Sequence, residues 1–135
     1  MYFEVMNEPY GYSADQWKTI CKQWLQHYPD VPRARILIGG SGYCQFVNAV
    51  ASDSAFNGCF FSQHAYAFWF PSVNTVENWK GLADFVVNPY QSRTILTEFG
   101  VAMTTGIDYS QPANGDGRIA FLRAMSQVRF ISHGG

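Results

Sequence analysis

Four times along this chain a short β-type run gives way to a stretch with helical apolar spacing, and no other feature restricts the fold as much. Residues 2–7 read as the first strand. Ser13-Ala14-Asp15-Gln16 follows as a capping box, with Ser13 at the N-cap and Gln16 three residues later, so a helix is predicted to start there. Trp17, Ile20, Cys21, Trp24, Leu25 and Tyr28 then recur on one apolar stripe, which Pro29 helps to end. Arg35-Ile36-Leu37-Ile38 reads as a buried strand closed by Gly39-Gly40-Ser41-Gly42, with a shorter helix predicted from about Gln45 to Ala51. Residues 58–63 form the third predicted strand. The third helix is expected to open at Asn74, with Glu77 at its third position and Val76, Trp79, Ala83 and Val86 on its inner face. Arg93 to Thr97 make the fourth strand, and a last helix is predicted over about 117–131, burying Phe121, Leu122, Met125 and Val128 and stopping near Gly134-Gly135. Strand-then-helix units of about 30 residues in series imply right-handed crossovers. The predicted fold is therefore α/β, one domain over 1–135, with four consecutive parallel βα units and helices packed outside the sheet.

Composition agrees with a buried core and removes several partners. Of the 135 residues 47% are apolar and 17% aromatic, unlike a disordered tail. The formal charge of −1 is spread without blocks, so there is no basic stripe for nucleic acid or for an anionic membrane. No apolar run approaches the ~18 residues of a membrane helix, and Met1 opens on strand-like sequence instead of an export signal. Cys21, Cys44 and Cys59 lack C-x-x-C spacing and lie among apolar neighbours, where a thiol behaves as a small hydrophobe. No metal ligand set and no cofactor are expected.

Two glutamates sit just past the ends of predicted strands: Glu8 in Phe3-Glu4-Val5-Met6-Asn7-Glu8-Pro9 and Glu98 in Ile95-Leu96-Thr97-Glu98-Phe99-Gly100. At that end of a parallel sheet α/β proteins build their sites, and if the strands curl as part of a barrel both carboxylates face one mouth. Two carboxylates there suggest acid/base work. Either alone reads equally as a strand-end or capping carboxylate, and His64 alone as a core histidine with a satisfied hydrogen bond. Glu4, upstream in its strand, reads as paired or wall-lining.

Trp17, Trp24 and Trp79 fall on helical stripes and read as packing. Phe68, Trp69 and Phe70 follow His64-Ala65-Tyr66 in a loop at the active face, so Trp69 is the candidate sugar platform, with Tyr10 and Tyr12 behind it. Gly39-Gly40-Ser41-Gly42 has the look of a nucleophile elbow, but Tyr43 replaces the last glycine of G-x-S-x-G and neither dinucleotide nor Walker pattern is met. Those glycines read as a tight turn beside the cleft.

Val5-Met6-Asn7-Glu8-Pro9, His64-Ala65-Tyr66 and Leu96-Thr97-Glu98-Phe99-Gly100, in that order, resemble the signatures that end the fourth, sixth and seventh strands of glycoside hydrolase family 5, the cellulase family of retaining (β/α)8 glycosidases. The resemblance implies a partial TIM barrel covering about strands 4 to 7. It assigns Glu8 as general acid/base, Glu98 as nucleophile and the Tyr66 hydroxyl as partner of Glu98. Asn7 would bind the 2-hydroxyl of the reacting sugar, and His64 would line the same subsite. A retaining mechanism needs carboxyls about 5–5.5 Å apart, one delivering a proton and one attacking the anomeric carbon.

The implied activity is hydrolysis of β-glycosidic bonds in a polysaccharide, foremost endo-β-1,4-glucanase, and relatives of this kind are usually secreted. A (β/α)8 barrel takes about 250 residues, so the chain is expected to supply four of eight units and to need the others for activity. The family's arginine near the nucleophile and the tryptophan of the eighth strand are absent from this sequence. The alternative is a non-catalytic half-barrel that binds sugar or self-associates through its exposed strand edges.

Overall fold

The computed structural model, which describes residues 1–103 and 105–128, places the four predicted strands in one parallel sheet of order β1-β2-β3-β4. The strands are β1 (Phe3–Glu4), β2 (Ile36–Gly39), β3 (Phe60–Tyr66) and β4 (Thr94–Gly100), and they curl as a half-barrel. Between and after them run α1 (Ala14–His27), α2 (Ser41–Cys44), α3 (Asn48–Ala51), α4 (Val76–Val87) and α5 (Gly117–Gln127). Each crossover returns the chain to the next strand in line, as parallel pairing requires.

The α1 capping box forms as its sequence dictates: Gln16 N–H donates to Ser13 Oγ and Ser13 N–H to Gln16 Oε1. Its stripe buries Trp17, Cys21 and Leu25 fully, while Trp24 lies on the flank with its ring 4.8 Å from that of Tyr28. One core joins this stripe to Ile36 and Ile38 of β2, Phe61 of β3, Trp79 and Ala83 of α4 and Phe121 of α5. Because side chains alternate along a strand, Leu37, Ser62 and His64 point to the other face, the concave side of the half-barrel.

Several predicted boundaries move, each for a local reason. β1 ends at Glu4 and not at residue 7, because it pairs on one side only and the chain turns through Glu8, whose φ is +49°. β3 and β4 run further than predicted, to Tyr66 and Gly100, because they pair with each other along that length. His64, Tyr66 and Glu98 thus lie within strands. The helix predicted from Gln45 is replaced by the turn α2, with Gly42 and Tyr43 in the left-handed region, and the single turn α3. Thr75 caps α4 in place of Asn74, its hydroxyl accepting from Asn78 N–H at 3.2 Å. Helix α5 ends at Gln127, with Val128 already extended, and the predicted continuation over 129–131 and stop at Gly134-Gly135 lie outside the described residues. Among the described residues no helix is long and apolar enough to cross a membrane.

The three cysteines are free and buried. Burial pushes the Cys21 thiol up from the usual 9.0 to about 12, and the Cys44 thiol up to about 11. Raised folded values favour the neutral thiol, so their stabilising contribution is complete below the unfolded value and is lost as pH rises through the folded one. The urea midpoint is therefore expected to fall between pH 9 and 12. Cys21→Ala should flatten this fall, and a slope unchanged in that variant would contradict the assignment.

Candidate active site

The position of Glu98 is set by an irregularity in the sheet. The β3–β4 register runs Phe61↔Thr94, Ser62↔Ile95 and Gln63↔Leu96, then jumps to His64↔Glu98, leaving Thr97 as an extra residue. In unbroken register Glu98 would pair with Ala65 and face the helices. The bulge turns it to the concave face beside His64, and Thr97 Oγ1–H donates to Gln63 O at 3.3 Å where the pairing slips.

Glu8 reaches the same place from the other side. Its positive φ costs about 1–3 kcal/mol and persists because its neighbours are fixed. Pro9 is buried, and its carbonyl accepts from Tyr43 N–H at 3.3 Å. A Cβ on Gly39 would lie 2.6 Å from Cys44 Sγ and 3.3 Å from Pro9 Cδ, so glycine is what lets the Glu8-Pro9 segment lie over the end of β2. A Cβ on Gly40 would lie 2.8 Å from the backbone at Phe46 and Val47. The glycine run is thus a packing device, and Ser41 is taken up in a backbone bridge to Phe46.

His64 joins the two glutamates. Its side chain is 2% exposed, against 32% for Glu8 and 42% for Glu98. With the ring proton on Nδ1 it donates to Glu8 Oε1 at 3.1 Å, and the same nitrogen lies 3.7 Å from Glu98 Oε2. One oxygen of each carboxylate and a ring nitrogen of His64 lie within 4.8 Å of one another. Below them Ser62 Oγ–H donates to Glu4 in a short hydrogen bond, which makes Glu4 a paired wall residue.

A cleft of about 470 Å³ opens beside Glu8, lined by Tyr43, Tyr66, Phe68 and Trp69. Trp69, the candidate platform, therefore shares this cleft with Glu8. Tyr10 stacks on Tyr43 at 4.9 Å, Tyr43 lies 6.3 Å from Trp69, and Trp69 meets the edge of Tyr66 at 5.0 Å, giving an unbroken row of rings. Tyr12 instead stacks over Trp17, and Phe70 packs on Trp79.

The Tyr66 hydroxyl forms no hydrogen bond with Glu98. The Tyr66 ring packs on Phe68 and lies over Gly100, where a Cβ would come within 2.9 Å of it, and His64 Nδ1 lies 3.7 Å from Glu98 Oε2. Asn7, expected to meet a sugar hydroxyl, is exposed next to Glu8. Tyr43 was not among the residues selected from sequence. Its only signal is the glycine-rich turn before it, which carries Gly42, Tyr43 and Cys44 through three successive positive φ values. Desolvation, then Tyr10 and Glu8, raise the Tyr43 hydroxyl above its ordinary value, so it remains a donor at the cleft. No family model, curated protein or solved structure matches this chain.

Proposed function

We propose that Glu8 and Glu98 are the catalytic pair of a retaining β-glycosidase of the glycoside hydrolase family 5 type, and that the four βα units are half of a (β/α)8 barrel. The substrate is a β-linked polysaccharide, foremost a β-1,4-glucan cut internally, and the parent enzyme is secreted. The observation that carries the reading is the close approach of two carboxylates on the concave face of a parallel sheet, with His64 Nδ1 between them.

In the first step a Glu98 oxygen bonds to the anomeric carbon as the glycosidic C–O bond breaks, and Glu8 gives its proton to the departing oxygen. In the second, Glu8 takes a proton from water, the water oxygen bonds to the anomeric carbon, and the bond to Glu98 breaks. His64 supplies an N–H donor to Glu8 and a second contact toward Glu98, holding both on a buried ring that cannot swing away. Asn7, next to Glu8, is the candidate for the sugar 2-hydroxyl. Tyr66, Trp69 and Tyr43 offer flat apolar rings to the carbon-rich faces of pyranoses along the cleft.

Proton NMR of a soluble β-1,4-glucan incubated with the chain completed to eight βα units tests this. The β-anomer is expected to appear first, followed by slow mutarotation, and first appearance of the α-anomer would overturn the assignment. A second reading, a sugar-binding half-barrel without catalysis, is favoured by the sheet edges: among the described residues β1 and β4 each pair on one side only, with Tyr2, Phe3 and Phe99 exposed nearby. Under it, sedimentation gives a tight dimer and the glucan is bound but not cut.

A further inference from the structure

We infer that Glu8, His64 and Glu98 form a binding site for a divalent ion of the zinc class, and that such an ion competes with a glycoside for the same two carboxylates. The inference goes beyond the glycosidase reading and rests on donor geometry alone. Zinc bonds of about 2.0–2.1 Å to nitrogen and oxygen place tetrahedral donors roughly 3.3 Å apart. Two edges of the required triangle already bracket that length: His64 Nδ1 lies 3.1 Å from Glu8 Oε1 and 3.7 Å from Glu98 Oε2. The third edge, between the carboxylates, is within 4.8 Å and closes by rotation of either half-exposed side chain.

The central donor is the fixed one. His64 is 2% exposed and its Nδ1 points at both carboxylates, so little ordering remains to be done on binding once the ring proton sits on Nε2. The exposure of Glu8 and Glu98 leaves room for water to complete the ligand shell, as in an open zinc site. Glu4, held by Ser62, brings a third carboxylate within 4.8 Å of the same imidazole. One nitrogen donor with two oxygens suits zinc, cobalt or nickel, whereas magnesium and calcium take oxygen shells. The overlapping trio Glu4, Cys44 and His64 is the weaker candidate, because it would share the same imidazole and its Glu4 carboxylate already accepts from the Ser62 hydroxyl. Spacing rules miss the chosen site, since His64 and Glu8 are 56 positions apart.

Isothermal titration of the wild-type protein with Zn²⁺ near pH 7, with Mg²⁺ as the control, tests the site without reference to hydrolysis. One Zn²⁺ per chain is expected, at least tenfold weaker in Glu98→Gln and in His64→Ala, with no heat from Mg²⁺. His64 is buried and its replacement can disturb the fold, so Glu98→Gln, at a half-exposed position, decides the matter. Absence of Zn²⁺ binding overturns the inference, as does binding that is unchanged in Glu98→Gln or equally tight for Mg²⁺. Absence of glucan hydrolysis by the chain completed to eight βα units would count against the glycosidase reading and leave the metal result standing.

Discussion

In the chain completed to eight βα units, Glu98→Gln is expected to lower kcat/KM on a soluble β-1,4-glucan by on the order of a thousandfold or more, about 4 kcal/mol of transition-state stabilisation. The amide keeps the shape of the side chain but cannot form the glycosyl ester, so the loss falls on the chemical step. Fold stability should hardly change, because Glu98 is 42% exposed and His64 keeps its shorter contact to Glu8. Glu8→Gln separates the roles. Its defect should be large on glucan and much smaller on an aryl glycoside whose leaving group departs without a proton. Steady-state kinetics on both substrates, with urea midpoints for each variant, checks this. Glu98→Gln within tenfold of wild type would contradict its role as nucleophile.

Trp17→Ala is expected to cost about 3–5 kcal/mol of folding stability, the largest effect of a single truncation in the α1 packing layer. Trp17 is fully buried, and its indole N–H donates to Gly39 O at 2.8 Å, at the end of β2 where the Glu8-Pro9 segment is seated. Removal empties a large core volume and leaves a buried carbonyl unpaired. Trp17→Phe isolates the second term: it fills most of the space, lacks the donor, and should cost about 1–3 kcal/mol. Urea unfolding followed by far-UV circular dichroism reads both values. A loss below about 1 kcal/mol in Trp17→Ala would mean that the helix layer does not rest on this residue.

Much of the architecture was legible because it rests on local chemistry. The Ser13 box, the Trp17-Cys21-Leu25 stripe and the buried faces of β2 and β3 follow from capping and periodicity within a few residues. The ends of β3 and β4 were not legible. Ser62, Gln63 and His64 are polar yet buried, so the apolar signal stops before the strand does. Glu8 and Glu98 stood out in sequence, but their meeting depends on the Thr97 bulge and on a left-handed Glu8, and no residue pattern announces either. Tyr43 went unseen for a related reason. A bulky ring after a glycine run reads as loop until the backbone turns it onto Tyr10 and toward Trp69.

Mass spectrometry of the chain completed to eight βα units, after incubation with an activated 2-deoxy-2-fluoro-β-glycoside, tests the retaining pair most directly, because fluorine slows breakdown of the glycosyl-enzyme and lets it accumulate. The account predicts one added fluoro-sugar per chain, located on Glu98 by peptide fragmentation and absent from Glu98→Gln. Label on Glu8 or on any other residue, or a chain left unlabelled while it hydrolyses glucan, would contradict it.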